Sequence, residues 1–497
     1  MDSHRFSDKS TGLSPAQLAL LQRRLKGRAA GTVAASIIPR RAERASAPLS
    51  FIQQESLRMM ETHDVPPGYL GTALHYSGVL DLAALQESVA EVSRRHESLR
   101  TGFVARDGVT VQVVDDAAIA RVPVIDLSER PPEQRNGQAQ QLAAYELARA
   151  FDPAQSPLWR VKVFRLGPEE YVLTFTLHHL VADFISLGLL IQELGALYDA
   201  FSHGRPSPLP ELRIQYGDWA AWQREQVAGG GLEAQLAYWR KRLHGCPPVL
   251  ELPFTRPRPA SQTFHGALRL RFLPLALSDA LRELSRQQKV SLYSTLLAAF
   301  SLLLRHYTRR EDIVLGRGVT GRTLLETEKM IGCFINLVVL RIDLSGDPEF
   351  PDLLRRIQAM ADGAYANQDV PFAKLVAELR PDADPRRPPL AQLIFNLYTA
   401  PASPPEMEKA SFNIFDLGEH APHNDVALFQ DMILGMQDSG NRIIAELKYN
   451  RALFEVTAME CLLDHYQTFL ETIVGAPEQP VRELLRQAGI ACAQTRS

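Results

Sequence analysis

Cysteine is scarce in this 497-residue chain: four, at Cys246, Cys333, Cys461 and Cys492, widely scattered and with no CxxC pair. That spacing excludes a disulfide framework and the usual zinc arrangements, so no metal site is expected. Net charge is scarce too. Lys+Arg 54 against Asp+Glu 57 leaves −3, and no global field draws such a protein to nucleic acid or to an anionic membrane. Unbroken apolar runs of the roughly 18 residues that cross a bilayer are missing. The N-terminal MDSHRFSDKS has no charged-then-apolar leader pattern. The expectation is a cytoplasmic monomer that engages neither nucleic acid nor membrane. Extreme composition is absent as well: 45% hydrophobic and 22% charged residues describe an ordinary globular chain, long enough for two or three domains.

What is there begins with a basic module. Ser14-Pro15 is a helix start, Leu18, Leu21 and Leu25 recur at helical spacing, and Gly27 stops the helix. Arg23, Arg24, Lys26, Arg28, Arg40, Arg41 and Arg44 stand against a single Glu43. Either this is a solvated tail or it is a docking surface for an acidic peptide. From Pro48 onward helix and strand patterns mix. A helix is expected near 82–95, and a hairpin with arms 158–166 and 171–177 around Gly167-Pro168. Two proline-rich stretches, HGRPSPLP at 203–210 and PPVLELPFTRPRP at 247–259, flank a helical segment and mark a lobe boundary. Beyond them the mixture repeats: helix 292–306, strand 335–343, helix 349–365, strand 391–399 and a hairpin turning at 438–440. The class is α/β (α+β), divided as an N-terminal segment 1–45 and lobes 46–215 and 216–497.

The richest stretch is TFTLHHLVADFISLGLLIQEL at 174–194. Strand alternation sends Phe175, Leu177 and His179 to one face and Thr174, Thr176 and His178 to the other, so the two histidines cannot share one job. Leu187, Leu190, Ile191, Leu194, Leu197 and Tyr198 then form a helical stripe, which places Asp183 at the helix start. Taken singly, Asp183 is an ordinary N-cap and either histidine a structural one. Together they surround a strand-to-helix turn where a histidine base and a buried carboxylate can be fixed by the scaffold and still face a channel.

His178-His179-Leu180-Val181-Ala182-Asp183 resembles the HHxxxD part of the HHxxxDG signature of condensation domains of nonribosomal peptide synthetases, relatives of chloramphenicol acetyltransferase. PLSFIQQESLR (48–58), RHESLRTGF (95–103), YGDWAAW (216–222), IGCFINLVVLR (331–341) and NQDVPF (367–372) follow the family order. The resemblance implies a V-shaped pair of acetyltransferase-like lobes with a tunnel between them, where a carrier-bound acyl thioester meets a nucleophile. It implies His179 as the catalytic residue, general base or positioner. His178 and Asp183 would be structural supports, Asp183 paired to an arginine. The family glycine is Phe184 here, so Phe184, and with it Ser186, is expected along the substrate channel. No bound cofactor is implied, because the phosphopantetheine arm arrives on a partner, an acyl or peptidyl carrier protein. No carrier serine motif and no adenylation segment is visible, which suggests a free-standing enzyme that joins a polyketide or peptidyl chain to a soluble small molecule, as an ester or amide. The segment 1–45 is similar to the β-hairpin docking segments ahead of such domains, with Arg23, Arg24, Lys26 and Arg28 as its contacts to a carrier's acidic tail.

Three other readings compete. Gly316-Arg317-Gly318-Val319-Thr320-Gly321 after an apolar run, with Asp343 beyond, mimics a dinucleotide fingerprint; Arg317 and Arg322 have no evident place in it. A recruitment module without activity is expected to lose the second histidine, which is present. Ser186 with His179 and Asp183 has triad composition but no GxSxG elbow.

Overall fold

The computed structural model describes residues 38–63, 68–247, 249–380, 382–399, 411–420 and 426–489. The expected helix after Ser14 and the docking residues Arg23, Arg24, Lys26 and Arg28 lie outside the described residues.

The first half runs β1 (Ser46–Pro48), α1 (Phe51–Thr62), β2 (Tyr69–Ser77), α2 (Leu82–Arg95), β3 (Thr101–Arg106), β4 (Val109–Val114), β5 (Val124–Asp126), α3 (Pro132–Ala148), β6 (Trp159–Arg165), β7 (Glu170–His178), α4 (Phe184–Ser202) and α5 (Tyr216–Ala228). The second half continues with α6 (Glu233–Leu243), β8 (His265–Phe272), α7 (Leu275–Gln287), α8 (Leu292–Thr308), β9 (Asp312–Val319), β10 (Asn336–Asp343), α9 (Phe350–Ala366), α10 (Phe372–Leu379), β11 (Leu393–Thr399), β12 (Ser411–Ile414), β13 (Val426–Ala427), β14 (Met432–Asp438), β15 (Ile443–Asn450), α11 (Val456–Gly475) and α12 (Val481–Gln487).

Alternation builds the first sheet, ordered β12-β2-β7-β6-β5. On β7, Tyr171, Leu173, Phe175 and Leu177 face a core with α2 and α4, while Val172 faces a second core under α3. Helix α4 has the length and apolarity of a membrane span, although no such run is expected from the sequence. Leu187, Leu190, Leu194, Leu197 and Tyr198 nevertheless spend its apolar stripe on that core. The second sheet, ordered β10-β9-β11-β14-β15-β8-β13, carries its core on one face. Ile313, Leu315, Leu393, Phe395, Leu434, Ala445 and Leu447 pack there against the helices. Alternate residues, among them Gly318, Asn396, Tyr398 and Lys448, take the other face.

Helix α5 bridges the halves: Asp218 receives the Arg41 guanidinium and the Tyr216 hydroxyl reaches Ser50 Oγ at 2.9 Å, while Tyr216 and Trp219 pack on Leu324, Met330 and Phe334. Leu236, Trp239 and Leu243 of α6 enter the second core. Strand β12 crosses back, pairing antiparallel with β2 at the edge of the first sheet.

Candidate active site

Strand β7 ends at His178, and the chain turns through 179–182 before Asp183 caps α4. Backbone bonds pin the turn: the His178 N–H donates to the Leu158 carbonyl at 2.9 Å, and the His179 N–H to the Gly68 carbonyl at 3.0 Å. His178 is 2% exposed, its ring edge-on to Tyr69 and Phe151. Its Nδ1 accepts from the Leu180 N–H at 3.1 Å. That lone pair must stay unprotonated, and burial lowers the pKa from 6.5 to about 4. The ring is a brace for the turn.

His179 is partly exposed. Its Nδ1 faces Cys333 Sγ at 3.6 Å, and the ring also has backbone partners at His179 and Ala182. Burial pulls its pKa below the ordinary 6.5, against the opposing pull of the Asp183 charge. The imidazole is therefore neutral at physiological pH, and a neutral imidazole keeps one ring nitrogen as an acceptor. Cys333 is no rival nucleophile, since burial pushes its thiol far above the usual range.

Asp183 is the node between the halves. It is 3% exposed and accepts from the Ser186 N–H at 2.8 Å, from the Phe334 N–H at 3.1 Å, and from Arg322 Nη2 at 3.0 and 3.3 Å. Arg322 also donates to the carbonyls of Thr327 and Met330 and lies over the Phe334 ring. A buried carboxylate so surrounded has its charge compensated at every oxygen. Arg322 is the partner that the sequence alone leaves unassigned. Its signal is present in the GRGVTGR run, without a role attached.

One expectation is corrected here. Ser186 does not face a channel: it is fully buried. Its Oγ lies 2.8 Å from Asp183 Oδ1 and from the Gly332 carbonyl, and accepts from the Gly332 N–H at 3.0 Å and from Arg322 Nη2 at 2.9 Å. A first-turn serine bonds near its own cap, which removes it from any triad. The GxGxxG run is no phosphate loop either. Gly316 and Gly318 lie inside β9, paired with β10 residues Val339 and Leu337, and only the short turn 325–327 follows where such a fingerprint would open a helix. Gly321 has φ +62°, and a Cβ there would meet the Phe334 carbonyl at 1.9 Å, so this glycine serves the fold. Phe184, by contrast, is 49% exposed beside the histidine turn. Trp219 is packed against Tyr216 and Phe334. No group of three or more His, Cys, Asp or Glu among the described residues could hold a metal ion.

The Condensation domain family model matches residues 43–488. The chain belongs to the condensation domain family. This condensation domain is 40% identical over 443 residues to a linear gramicidin synthase of Brevibacillus parabrevis, covering 88% of this chain and 8% of that protein. It is 34% identical over 475 residues to phosphinothricin tripeptide synthetase PhsB of Streptomyces viridochromogenes, covering 94% and 39%. The chain thus spans a small part of these curated relatives. Among solved structures, the X-domain from teicoplanin biosynthesis matches with TM-score 0.78 at 25% identity, over 90% of this chain and 99% of that one. SgcC5 protein from Streptomyces globisporus matches with TM-score 0.73 at 28% identity, over 87% and 100%. The fold is therefore the paired acetyltransferase-like one, and the family's chemistry is acyl or peptidyl transfer, forming amide or ester bonds.

Proposed function

We propose that this condensation domain moves a polyketide or peptidyl chain from the phosphopantetheine thioester of a carrier protein onto a soluble small-molecule nucleophile, releasing it as an ester or amide. His179 carries the reading: a neutral, partly exposed imidazole at the junction of the two halves, on a turn fixed through its backbone. The nucleophile's O–H or N–H gives its proton to Nε2 while its lone pair adds to the thioester carbonyl. Collapse expels the pantetheine sulfur, which takes the proton back, so one C–S bond breaks, one C–O or C–N bond forms, and the carrier leaves with a free thiol. Juxtaposition of the two substrates supplies much of the rate, and the placed base a further ~10²- to 10⁴-fold. A soluble hydroxyl acceptor is supported by SgcC5, whose crystal structure is a complex with a naphthyl-substituted ethanediol.

Intact-protein mass spectrometry tests the proposal, with acyl-loaded carrier, a panel of soluble amines and hydroxy acids, and a His179→Ala control. Acyl loss with a matching condensed product, slowed on the order of 10²- to 10⁴-fold in a normally folded control, is the expected result. Carrier binding without transfer to any acceptor would favour a recruitment role; the X-domain from teicoplanin biosynthesis, of the same fold, forms a complex with OxyB. The same assay tests the docking proposal. Charge reversal at Arg23, Arg24 and Lys26 should weaken use of the carrier-bound donor and leave a small thioester surrogate untouched. Equal slowing of both would sink the docking role.

A further inference from the structure

Condensation of two carrier-tethered substrates needs two arms to converge on His179, whereas release onto a free acceptor needs only one. Phe184 opens helix α4 directly after Asp183, and its backbone is fixed because Asp183 caps that helix and is locked to Arg322. Its ring nevertheless stands half-exposed in the space between the halves. Across that space is Tyr398 on β11, with ring centroids 6.3 Å apart and planes tilted by 49°. That is contact range for an aromatic pair, too close for an alkyl-amide chain to pass between the rings.

Tyr398 is itself held in place. Its hydroxyl accepts from Asn396 Nδ2 at 2.8 Å, and Asn396 Oδ1 accepts from the Gly318 N–H at 3.0 Å. Its ring lies so closely over Gly435 that a Cβ there would sit 2.8 Å from it. Ile335, which follows the Phe334 N–H bound to Asp183, is another half-exposed apolar side chain beside Gly318. One wall is therefore anchored to the helix cap and the other to the sheet.

We propose that the Phe184–Tyr398 ring pair bars a carrier-tethered acceptor, so that the nucleophile reaches His179 only as a free small molecule. This rests on the transfer reaction proposed above and names the determinant of its acceptor class. A glycine at 184 removes one wall and reopens the approach.

The test offers one amino acid as acceptor in two forms to the full chain with acyl-loaded carrier: as the free amino acid, and loaded on a second carrier protein. Wild type should use the free form and discriminate against the tethered one. Phe184→Gly should raise the tethered-to-free ratio of kcat/KM by about tenfold or more, the size expected when a steric block in a substrate site is lifted. Tyr398→Ala, which leaves the helix cap alone, should move the ratio in the same direction, and Phe184→Tyr should keep the wild-type preference. A ratio within about twofold of wild type in both Phe184→Gly and Tyr398→Ala overturns the barrier while transfer itself stands. Failure of wild type to transfer to either form, or to any free amine or alcohol, overturns the transfer reaction and the barrier with it.

Discussion

His178 and His179, neighbours in the chain, are kept neutral to different ends. Alternation already separates them, although β7 ends at His178 and His179 opens the turn, and what it leaves unsaid is which one is sealed. His178 is sealed, and the cost appears with pH. Its folded pKa of about 4 lies below the ordinary 6.5, so between these values the unfolded chain binds a proton that the native chain refuses. Stability is therefore full above pH 6.5, falls as pH drops toward 4, and loses about 3 kcal/mol from this group. His178→Asn, whose amide oxygen can replace Nδ1 as acceptor for Leu180, should be less stable than wild type at pH 7, and the gap should narrow by up to that amount by pH 4. Urea unfolding at the two pH values measures it, and a gap independent of pH would contradict the burial account. His179 reports through rate instead. With its pKa also lowered by burial, the acid limb of kcat/KM should have its midpoint below 6.5 and disappear in His179→Ala, where little activity remains.

The local elements were largely legible because local forces make them. The helix over 82–95, the 158–177 hairpin and the helix from 292 follow from apolar spacing and turn residues alone, and the structure has them as α2, β6 with β7, and α8. The GxGxxG stretch misleads for the opposite reason: its glycines answer to neighbours far away in sequence. A Cβ on Gly316 would press on Ile394 at 3.0 Å, and Gly318 donates to Asn396, so a motif that looks like a phosphate loop is a strand whose partners are not yet in view. Gly332 in IGCFIN is another such position. A Cβ there would lie 2.1 Å from the Tyr216 ring, and the Tyr216 hydroxyl is already committed to the Cys333 carbonyl at 2.6 Å and to Ser50. Gly332→Ala should therefore destabilise by about 1–3 kcal/mol, the usual cost of overpacking, whereas Gly346→Ala, with open space around it, tests only the cost of its positive φ. A Gly332→Ala chain with an unchanged unfolding midpoint would show that Tyr216 can yield without loss.

How the two halves meet could not be read from the chain, because the contacts that join them have no local periodicity. HHLVAD and IGCFIN are both visible as motifs, but nothing in either says that the Phe334 N–H closes on Asp183 across 151 positions, or that Arg322 reaches the same carboxylate across 139. The carboxylate and guanidinium are each 5% exposed at the side chain, so neither can fall back on water if the other is removed. Arg322→Met should leave Asp183 charged and under-compensated, at a cost of about 3–5 kcal/mol, and Asp183→Asn should strand Arg322 at a comparable cost. In the double variant both charges are gone, the Thr327 and Met330 carbonyls lack their donor just as in the single Arg322 variant, and the amide's bonds to Ser186 and Phe334 can survive. It should therefore be less destabilised than the sum of the singles by more than about 1 kcal/mol. Chemical unfolding of the four proteins gives that coupling directly. Additive losses would mean that the pair contributes only packing, and that the halves are joined by β12 and by the apolar contacts of α5 instead. Activity should track the same cycle, since the bond from Asp183 to Phe334 sets the place of Cys333 against His179 Nδ1, and a double variant that regains stability without regaining rate would assign the ion pair to positioning the histidine as well as to holding the molecule together.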